Sequence, residues 1–157
     1  MDALRVLANK DVSKFVLRGV PDEPGIAAEV FGRLGTRGFN VELVVATGGT
    51  KGTADICLAA SQGQQDAIVA ALEEIRAEVR GTDVVSDVSV ALVSVTGTNL
   101  AKVPGVAGRM FKALSAKGIN IEIISTSLAS VTCMIPEART EEAVAALEGE
   151  FLDETTA

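Results

Sequence analysis

The stretch PGIAAEVFGRLGTRGFNVELVVAT, Pro24 to Thr47, decides how this chain is read, because PGVAGRMFKALSAKGINIEIISTS, Pro104 to Ser127, repeats it. Every match keeps one offset, 104 − 24 = 80: Pro24/Pro104, Gly25/Gly105, Ala27/Ala107, Phe31/Phe111, Leu34/Leu114, Gly38/Gly118, Asn40/Asn120 and Glu42/Glu122. Between these, like replaces like, as in Ile26/Val106, Arg37/Lys117, Phe39/Ile119 and Val41/Ile121. An ungapped register of this length marks an internal duplication.

Each copy reads as loop, helix, tight turn and strand. Proline suits the first turn of a helix, where its missing N–H would be an orphan anyway. Ile26, Ala27, Val30, Phe31 and Leu34 form an apolar stripe at helical spacing, as do Val106, Ala107, Met110, Phe111 and Leu114. Gly38 and Gly118 then stop the helices. Beyond them the period drops to 2, which places Phe39, Val41, Leu43 and Val45 on one strand face and Asn40, Glu42, Val44 and Ala46 on the other.

Composition narrows the function classes. At 157 residues the duplication fits two small packed domains. A hydrophobic fraction of 48% supplies a core, but with five Phe and no Trp or Tyr that core is aliphatic. The net charge of −7 argues against nucleic acid and anionic membranes as partners. No apolar run approaches the ~18 residues of a membrane span, and the chain reads as cytoplasmic, without a signal peptide. Cys57 and Cys133 lie in apparent strands and read as reduced core residues. The absence of His excludes a Ser-His-Asp triad, a Cys-His pair and the usual zinc-enzyme sites. No phosphate-binding glycine motif is present, and neither a metal nor a cofactor is expected.

In chain order, Ala3–Ala8 reads as a short strand and Val12–Val20 as the next, followed by the loop Pro21-Asp22-Glu23-Pro24-Gly25 and the first helix. Strands Phe39–Ala46 and Ala54–Ala60 flank a Gly-rich hairpin. Ser61 is placed to cap a helix carrying Ile68, Leu72, Ile75 and Val79, with Gly81 ending it and a strand at Thr82–Ser86. This is a βαββαβ order, the ferredoxin-like antiparallel sheet with both helices on one face. The second unit runs through strand Val88–Gly97, the second Pro-Gly helix, strands Ile119–Thr126 and Ala129–Ile135, and a helix capped by Thr140 with Val144, Leu147 and Phe151 inward. It lacks a fourth strand, whereas the first unit has one too many. The economical solution sends Ala3–Ala8 across to complete the second sheet, since an unpaired buried edge is otherwise left. The expected fold is therefore α+β, with one ferredoxin-like domain at 12–86 and another formed by 1–11 and 87–157. The charged residues Glu73, Glu74, Arg76, Glu78 and Arg80 read as a solvated helix face. Asp2, Glu148, Glu150, Asp153 and Glu154 read as solvating charge.

The segments GVPDEPGIAAEVFGRLGTRGFNVELV, GTADI and GINIEIISTS resemble the tandem ACT domains at the C-terminus of bacterial aspartokinases, which some bacteria also make alone as a small β subunit. The resemblance covers about Ala3 to Phe151 and implies the same strand cross-over. It implies allosteric binding of an amino acid, threonine or lysine, for feedback control of aspartate-family amino-acid biosynthesis. The implied partners are the aspartokinase catalytic domain or subunit and a second copy of the chain in a homodimer. The implied effector site sets the Pro-Gly helix start of one ACT unit against the Asn-containing strand of another across the dimer. Carried onto this sequence, one site uses Asp22, Pro24, Gly25, Ile26 and Ala27 with Asn120, Ile121 and Glu122. The other uses Pro104, Gly105, Val106 and Ala107 with Asn40 and Val41. The chain departs from the family at Ala46, where Gln is common, and at Leu128-Ala129-Ser130, where Glu-Ile-Arg is usual.

The chemistry of these residues points the same way. A helix start offers free N–H groups and partial positive charge to a ligand carboxylate. Asp22 or Glu122, with strand carbonyls, suits an ammonium group, and glycine admits a ligand against the backbone. Two other readings stand beside this one. An enzyme on a ferredoxin-like fold would need a nucleophile and base, and no such pair is visible. A stand-alone ACT protein would bind another amino acid and regulate a different partner.

Overall fold

The computed structural model describes residues 4–49 and 51–152. The chain divides into two compact units, Asp11–Val88 and a second unit in which the segment ending at Lys10 joins the chain from Ser89 onward.

In the unit Asp11–Val88, alternation of apolar residues builds strands and helical spacing builds helices. Strand β2 (Ser13–Pro21) leads to α1 (Ile26–Thr36), β3 (Val41–Gly48), β4 (Thr53–Ala60), α2 (Gln65–Val79) and β5 (Asp83–Asp87). Strand β1 (Arg5–Asn9) precedes them and belongs to the other unit. The sheet order is β3-β4-β2-β5, with every pairing antiparallel. Phe15, Leu17 and Val20 of β2 and Ile56, Leu58 and Ala60 of β4 meet Val30 and Leu34 of α1 and Ile68, Leu72, Ile75 and Val79 of α2 in one core. The charged side of α2 is exposed but paired: Glu74 bonds Arg37, Glu78 bonds Arg33 and Glu73 bonds Arg76.

The other unit repeats this plan through β6 (Val90–Thr96), α3 (Val106–Ala116), β7 (Ile123–Thr126), β8 (Ser130–Pro136) and α4 (Thr140–Phe151). Its sheet order is β1-β6-β8-β7. Here β1 takes the place that β5 holds in the first sheet, pairing Arg5 with Thr96 and Asn9 with Leu92. The cross-over expected from the strand count is present; of the expected strand Ala3–Ala8, Ala3 lies outside the described residues. Leu4 and Val6 pack against the core of β6, β8, α3 and α4, so the N-terminal segment closes a sheet that begins eighty residues later in sequence. Asp2, Asp153 and Glu154 also lie outside the described residues.

Several local expectations are corrected. Pro24 and Pro104 stand one residue outside the helix; the N-caps are Gly25 and Gly105, at φ 96° and 85°. Ser61 caps nothing with its side chain and opens a 3₁₀ turn, Gln62–Gln64, that leads into α2. The left-handed residue ending α2 is Arg80, at φ 62°, so Gly81 follows the stop and donates to the Arg76 carbonyl. Thr140 donates its hydroxyl to the Glu137 carbonyl at 2.6 Å and leaves the helix N–H groups uncapped. Glu150 is no mere solvating charge, since Arg109 bonds it at 2.7 Å and stacks 4.8 Å over Phe151.

The largest correction concerns the strand after each Pro-Gly helix. The pairing of β3 with β4 slips between Val41/Ala60 and Leu43/Ala59, so two residues of β3 oppose one of β4. That bulge shifts the alternation. Opposed residues share a sheet face, so Val41 lies on the helix side with Ala60, while Leu43 and Val45 turn away from it. Val44, opposite the core residue Leu58, is on the helix side yet 45% exposed. Ile124, opposite the core residue Cys133, repeats this at 46%.

Candidate functional site

The first helix start is built by β2 and the hairpin between β3 and β4. Gly19, at φ 65°, forms a bulge in β2; its N–H donates to Asp55 at 2.9 Å. Pro21 ends the strand. The Asp22 N–H donates to the Gly52 carbonyl at 2.9 Å, which ties the Gly-rich hairpin to the loop. The Asp22 carboxylate lies over Gly48, where a Cβ would stand 3.5 Å from Oδ2. Beside it, Thr47, Gly48, Gly49, Lys51, Thr53 and Asp55 line a cleft of about 240 Å³. Glu29 closes the first turn by donating its N–H to the Gly25 carbonyl at 2.9 Å. No side chain caps this helix, and its first N–H groups have no intrahelical acceptor. Asp22, Pro24, Gly25 and Ala27 are exposed and Ile26 is half-buried. A Cβ on Gly25 would meet nothing within 4 Å.

The second start repeats the device on a different support. Buried Leu100 begins a 3₁₀ turn, Leu100–Lys102, that anchors the loop. The Ala101 N–H donates to the Leu128 carbonyl at 3.2 Å, so the β7–β8 hairpin lies against this loop much as the β3–β4 hairpin lies against the first. Gly105 again faces open space, and Arg109 donates its N–H to the Gly105 carbonyl at 2.9 Å. Val106 is buried and Ala107 half-buried. The electrostatics differ between the starts. Subtracting the offset, Lys102 and Val103 occupy the positions of Asp22 and Glu23, so only the first start carries acidic residues before its proline.

The Asn-containing segments lie at the far ends of the same helices. In α1 the Gly38 N–H reaches the Gly35 carbonyl and Phe39 the Leu34 carbonyl; in α3, Gly118 reaches Ser115 and Ile119 reaches Leu114. This is the Schellman arrangement, and it needs the left-handed glycines Gly38 and Gly118. It delivers Asn40 and Asn120, both exposed, into the edge strand. Val41 packs on one core and Ile121 on the other. Glu122 is exposed and its N–H donates to the Met134 carbonyl at 2.8 Å, at the position matching the β3 bulge. Phe111, Ser115, Gly118, Ile119, Asn120 and Ile121 line a cleft of about 440 Å³. Within one unit an eleven-residue helix, about 16 Å long, separates Pro24 from Asn40, and likewise Pro104 from Asn120. The structure thus gathers Asp22, Pro24, Gly25, Ile26 and Ala27 at one point. It gathers Pro104, Gly105, Val106 and Ala107 at a second, with the two Asn segments apart from their own helix starts.

Neither Cys57 nor Cys133 is in a disulfide; Cys133 is buried, and burial pushes its thiol up to about 12. It therefore stays protonated and is no nucleophile. Among the described residues no three His, Cys, Asp or Glu side chains are grouped to hold a metal. No helix there is long and apolar enough to cross a membrane.

An ACT domain model matches residues 15–77, and a second ACT domain model matches residues 93–151. The regulatory subunit of aspartate kinase from Thermus thermophilus, in its ligand-free form, superposes with a TM-score of 0.86. It is 32% identical, over 93% of this chain and 96% of that one. The chain belongs to the tandem-ACT family of aspartate kinase regulatory regions. Longer members match the same span: an aspartate kinase of Pseudomonas fluorescens is 36% identical over 143 residues, which is 91% of this chain and 35% of that protein. The chain thus spans about a third of the length of the curated aspartate kinases it matches. Its tandem ACT units carry the two helix starts at equivalent positions. What sequence reading missed is the support behind each site: the Gly48–Asp22 approach, the bulge at Glu42, and Arg139, which bonds the carbonyls of Lys117 and Gly118 just before Asn120. Of these, only the glycines of the hairpin left a trace in the sequence.

Proposed function

We propose that this chain is the amino-acid-sensing regulatory module of an aspartate kinase, taking threonine or lysine as effector and acting on a kinase catalytic domain. The duplicated helix start carries this reading: two first turns without a side-chain cap, each behind a left-handed glycine that faces open space. Their N–H groups suit the effector's α-carboxylate. In the proposed sites Asp22, Pro24, Gly25, Ile26 and Ala27 work with Asn120, Ile121 and Glu122, and Pro104, Gly105, Val106 and Ala107 with Asn40 and Val41, a second copy of the chain supplying the facing half. Asp22 offers the ammonium group a carboxylate at the first site only, so that site is proposed as the tighter. The half-exposed Val44 and Ile124 on the edge strands support the homodimer; sedimentation showing only monomer at high micromolar concentration counts against it.

A thermal-shift screen against the twenty amino acids tests the reading. A ligand that binds only the folded state, at a hundredfold excess over Kd, adds about 2.7 kcal/mol, several degrees in Tm for a chain of this size. A shift with threonine or lysine supports the proposal, and no shift with any amino acid at millimolar concentration refutes it. Ala46 and the hairpin Leu128-Ala129-Ser130 favour a second reading, the same binding chemistry serving a different amino acid and partner. A shift confined to some other amino acid selects that reading.

A further inference from the structure

The Schellman turn after α3 satisfies the carbonyls of Leu114 and Ser115. The carbonyls of Lys117 and Gly118 follow it and face outward at the negative end of the helix. One side chain meets both. Arg139, in the 3₁₀ turn Glu137–Arg139 that opens α4, donates from Nη2 to the Lys117 carbonyl at 2.7 Å and from Nη1 to the Gly118 carbonyl at 3.4 Å. Its Nε donates to Glu142 at 2.9 Å, and this bond orients the fork. Lysine could not reproduce this, because a single ammonium group lacks the planar pair of donors. Two residues past Asn120 the chain is fixed again, where the Glu122 N–H reaches the Met134 carbonyl at 2.8 Å. Asn120 is thus carried on a short span between two anchors, one wall of the cleft of about 440 Å³ with Phe111 and Ser115.

The other copy lacks this group. The hairpin is five residues shorter in the second unit, so the offset there is 75 and Arg139 corresponds to Gln64, since 139 − 75 = 64. Gln64 is uncharged and exposed. We propose that Arg139 is a positioning residue: it holds the Asn120 segment in its binding conformation and makes the two Asn segments inequivalent, Asn120 rigid and Asn40 without a charged clamp. The binding half of this proposal rests on the effector reading above.

The test uses the full chain with Arg139→Ala, Arg139→Lys, Glu142→Gln and, as control, Gln64→Ala. Hydrogen exchange without ligand reads the clamp, and calorimetry with threonine and lysine, well below Tm, reads positioning. Loss of one charge-assisted, partly exposed clamp predicts about three- to tenfold faster exchange at the Gly118 and Ile119 amides in Arg139→Ala, with a similar loss of effector affinity. Smaller effects are expected in Arg139→Lys and Glu142→Gln, and none in Gln64→Ala. Unchanged exchange at those amides overturns the clamp. Faster exchange with unaltered affinity overturns the positioning role. If the parent chain itself binds neither amino acid, the effector reading has failed and the positioning role falls with it, an outcome that the parent titration alone identifies.

Discussion

Removing residues 1–9 is expected to loosen one unit and spare the other. The segment contributes β1, which pairs along β6 from Arg5/Thr96 to Asn9/Leu92, and sets Leu4 and Val6 against the core of that unit. Leu4 lies directly on Gly97, where a Cβ would stand 2.8 Å from its Cδ2. The net gain of the β1 ladder is largely offset by the entropy of ordering five residues. The apolar contacts therefore set the scale. Full burial of a Leu or Val side chain is worth about 1.5–3 kcal/mol, and both are half-buried, so their loss costs about 2 kcal/mol. That raises the open population of the unit roughly thirtyfold. Native-state hydrogen exchange of the full and shortened chains measures this directly. The amides of β6 and β8 are expected to exchange about thirtyfold faster, while those of β2 and β4 keep their protection. A synthetic peptide of residues 1–9 should restore it. Equal exchange of β6 and β8 in the two chains would refute the cross-over as a stabilising element.

Three further outcomes are expected. Gly19 and Gly118 are both left-handed, but a Cβ on Gly19 would stand 2.0 Å from Thr82 Oγ1, whereas one on Gly118 meets nothing within 4 Å; urea unfolding should show about 1 kcal/mol lost in Gly118→Ala and about 2–4 kcal/mol in Gly19→Ala, where overpacking adds to strain. Arg109→Ala removes the bonds to the Glu150 carboxylate and carbonyl and the stacking on Phe151, so it should cost about 1 kcal/mol by the same assay, given that the pair is a third exposed, and Arg109→Lys should recover only part. Hydrogen bonds from Arg18 hold Asp83 below its ordinary 3.8, and one from Lys10 holds Glu141 below its ordinary 4.5. Because both folded values are depressed, the stability they confer is present above those ordinary values and lost as pH falls through the folded ones. Asp83→Asn with Glu141→Gln should therefore flatten the stability profile below about pH 4.5 and leave its shape at neutral pH unchanged.

The duplication made most of the fold legible. An eighty-residue offset held over Pro24–Thr47 fixes two equivalent units, and counting strands in each sends the N-terminal strand to the second sheet. What was not legible is what depends on contacts distant in sequence. The faces of Leu43, Val44 and Val45 follow from where β3 slips against β4, and no alternation within one strand records a bulge. Arg80 ends α2 in the left-handed region one residue before a glycine that seemed made for it. Ser61 and Thr140 look like helix caps in sequence, but a 3₁₀ turn lies ahead of each helix, and local hydrogen-bonding alternatives decide their roles. The helix starts could be read because proline and glycine constrain backbone directly. Arg139 could not, because its acceptors are carbonyls more than twenty residues away. Gly25 adds a practical lesson. Its φ of 96° means that a bulky residue there would strain the backbone whether or not a ligand binds, so crowding of the site is better tested at Ala27, which is helical and exposed.

Calorimetric titration of the full chain with threonine and with lysine tests the effector proposal most directly, with Asp22→Asn, Ala27→Leu and Asn120→Ala beside the parent. Saturable binding is expected for one of the two amino acids. Asn120→Ala should weaken it about two- to tenfold, the loss of one or two side-chain hydrogen bonds at roughly 0.5–1.5 kcal/mol each. Asp22→Asn should weaken it more at low salt than at high, and Ala27→Leu should abolish it by filling the approach to the first-turn N–H groups. Binding that all three variants leave as tight as in the parent would contradict the account, and would show that the two Pro-Gly loops do no more than start their helices.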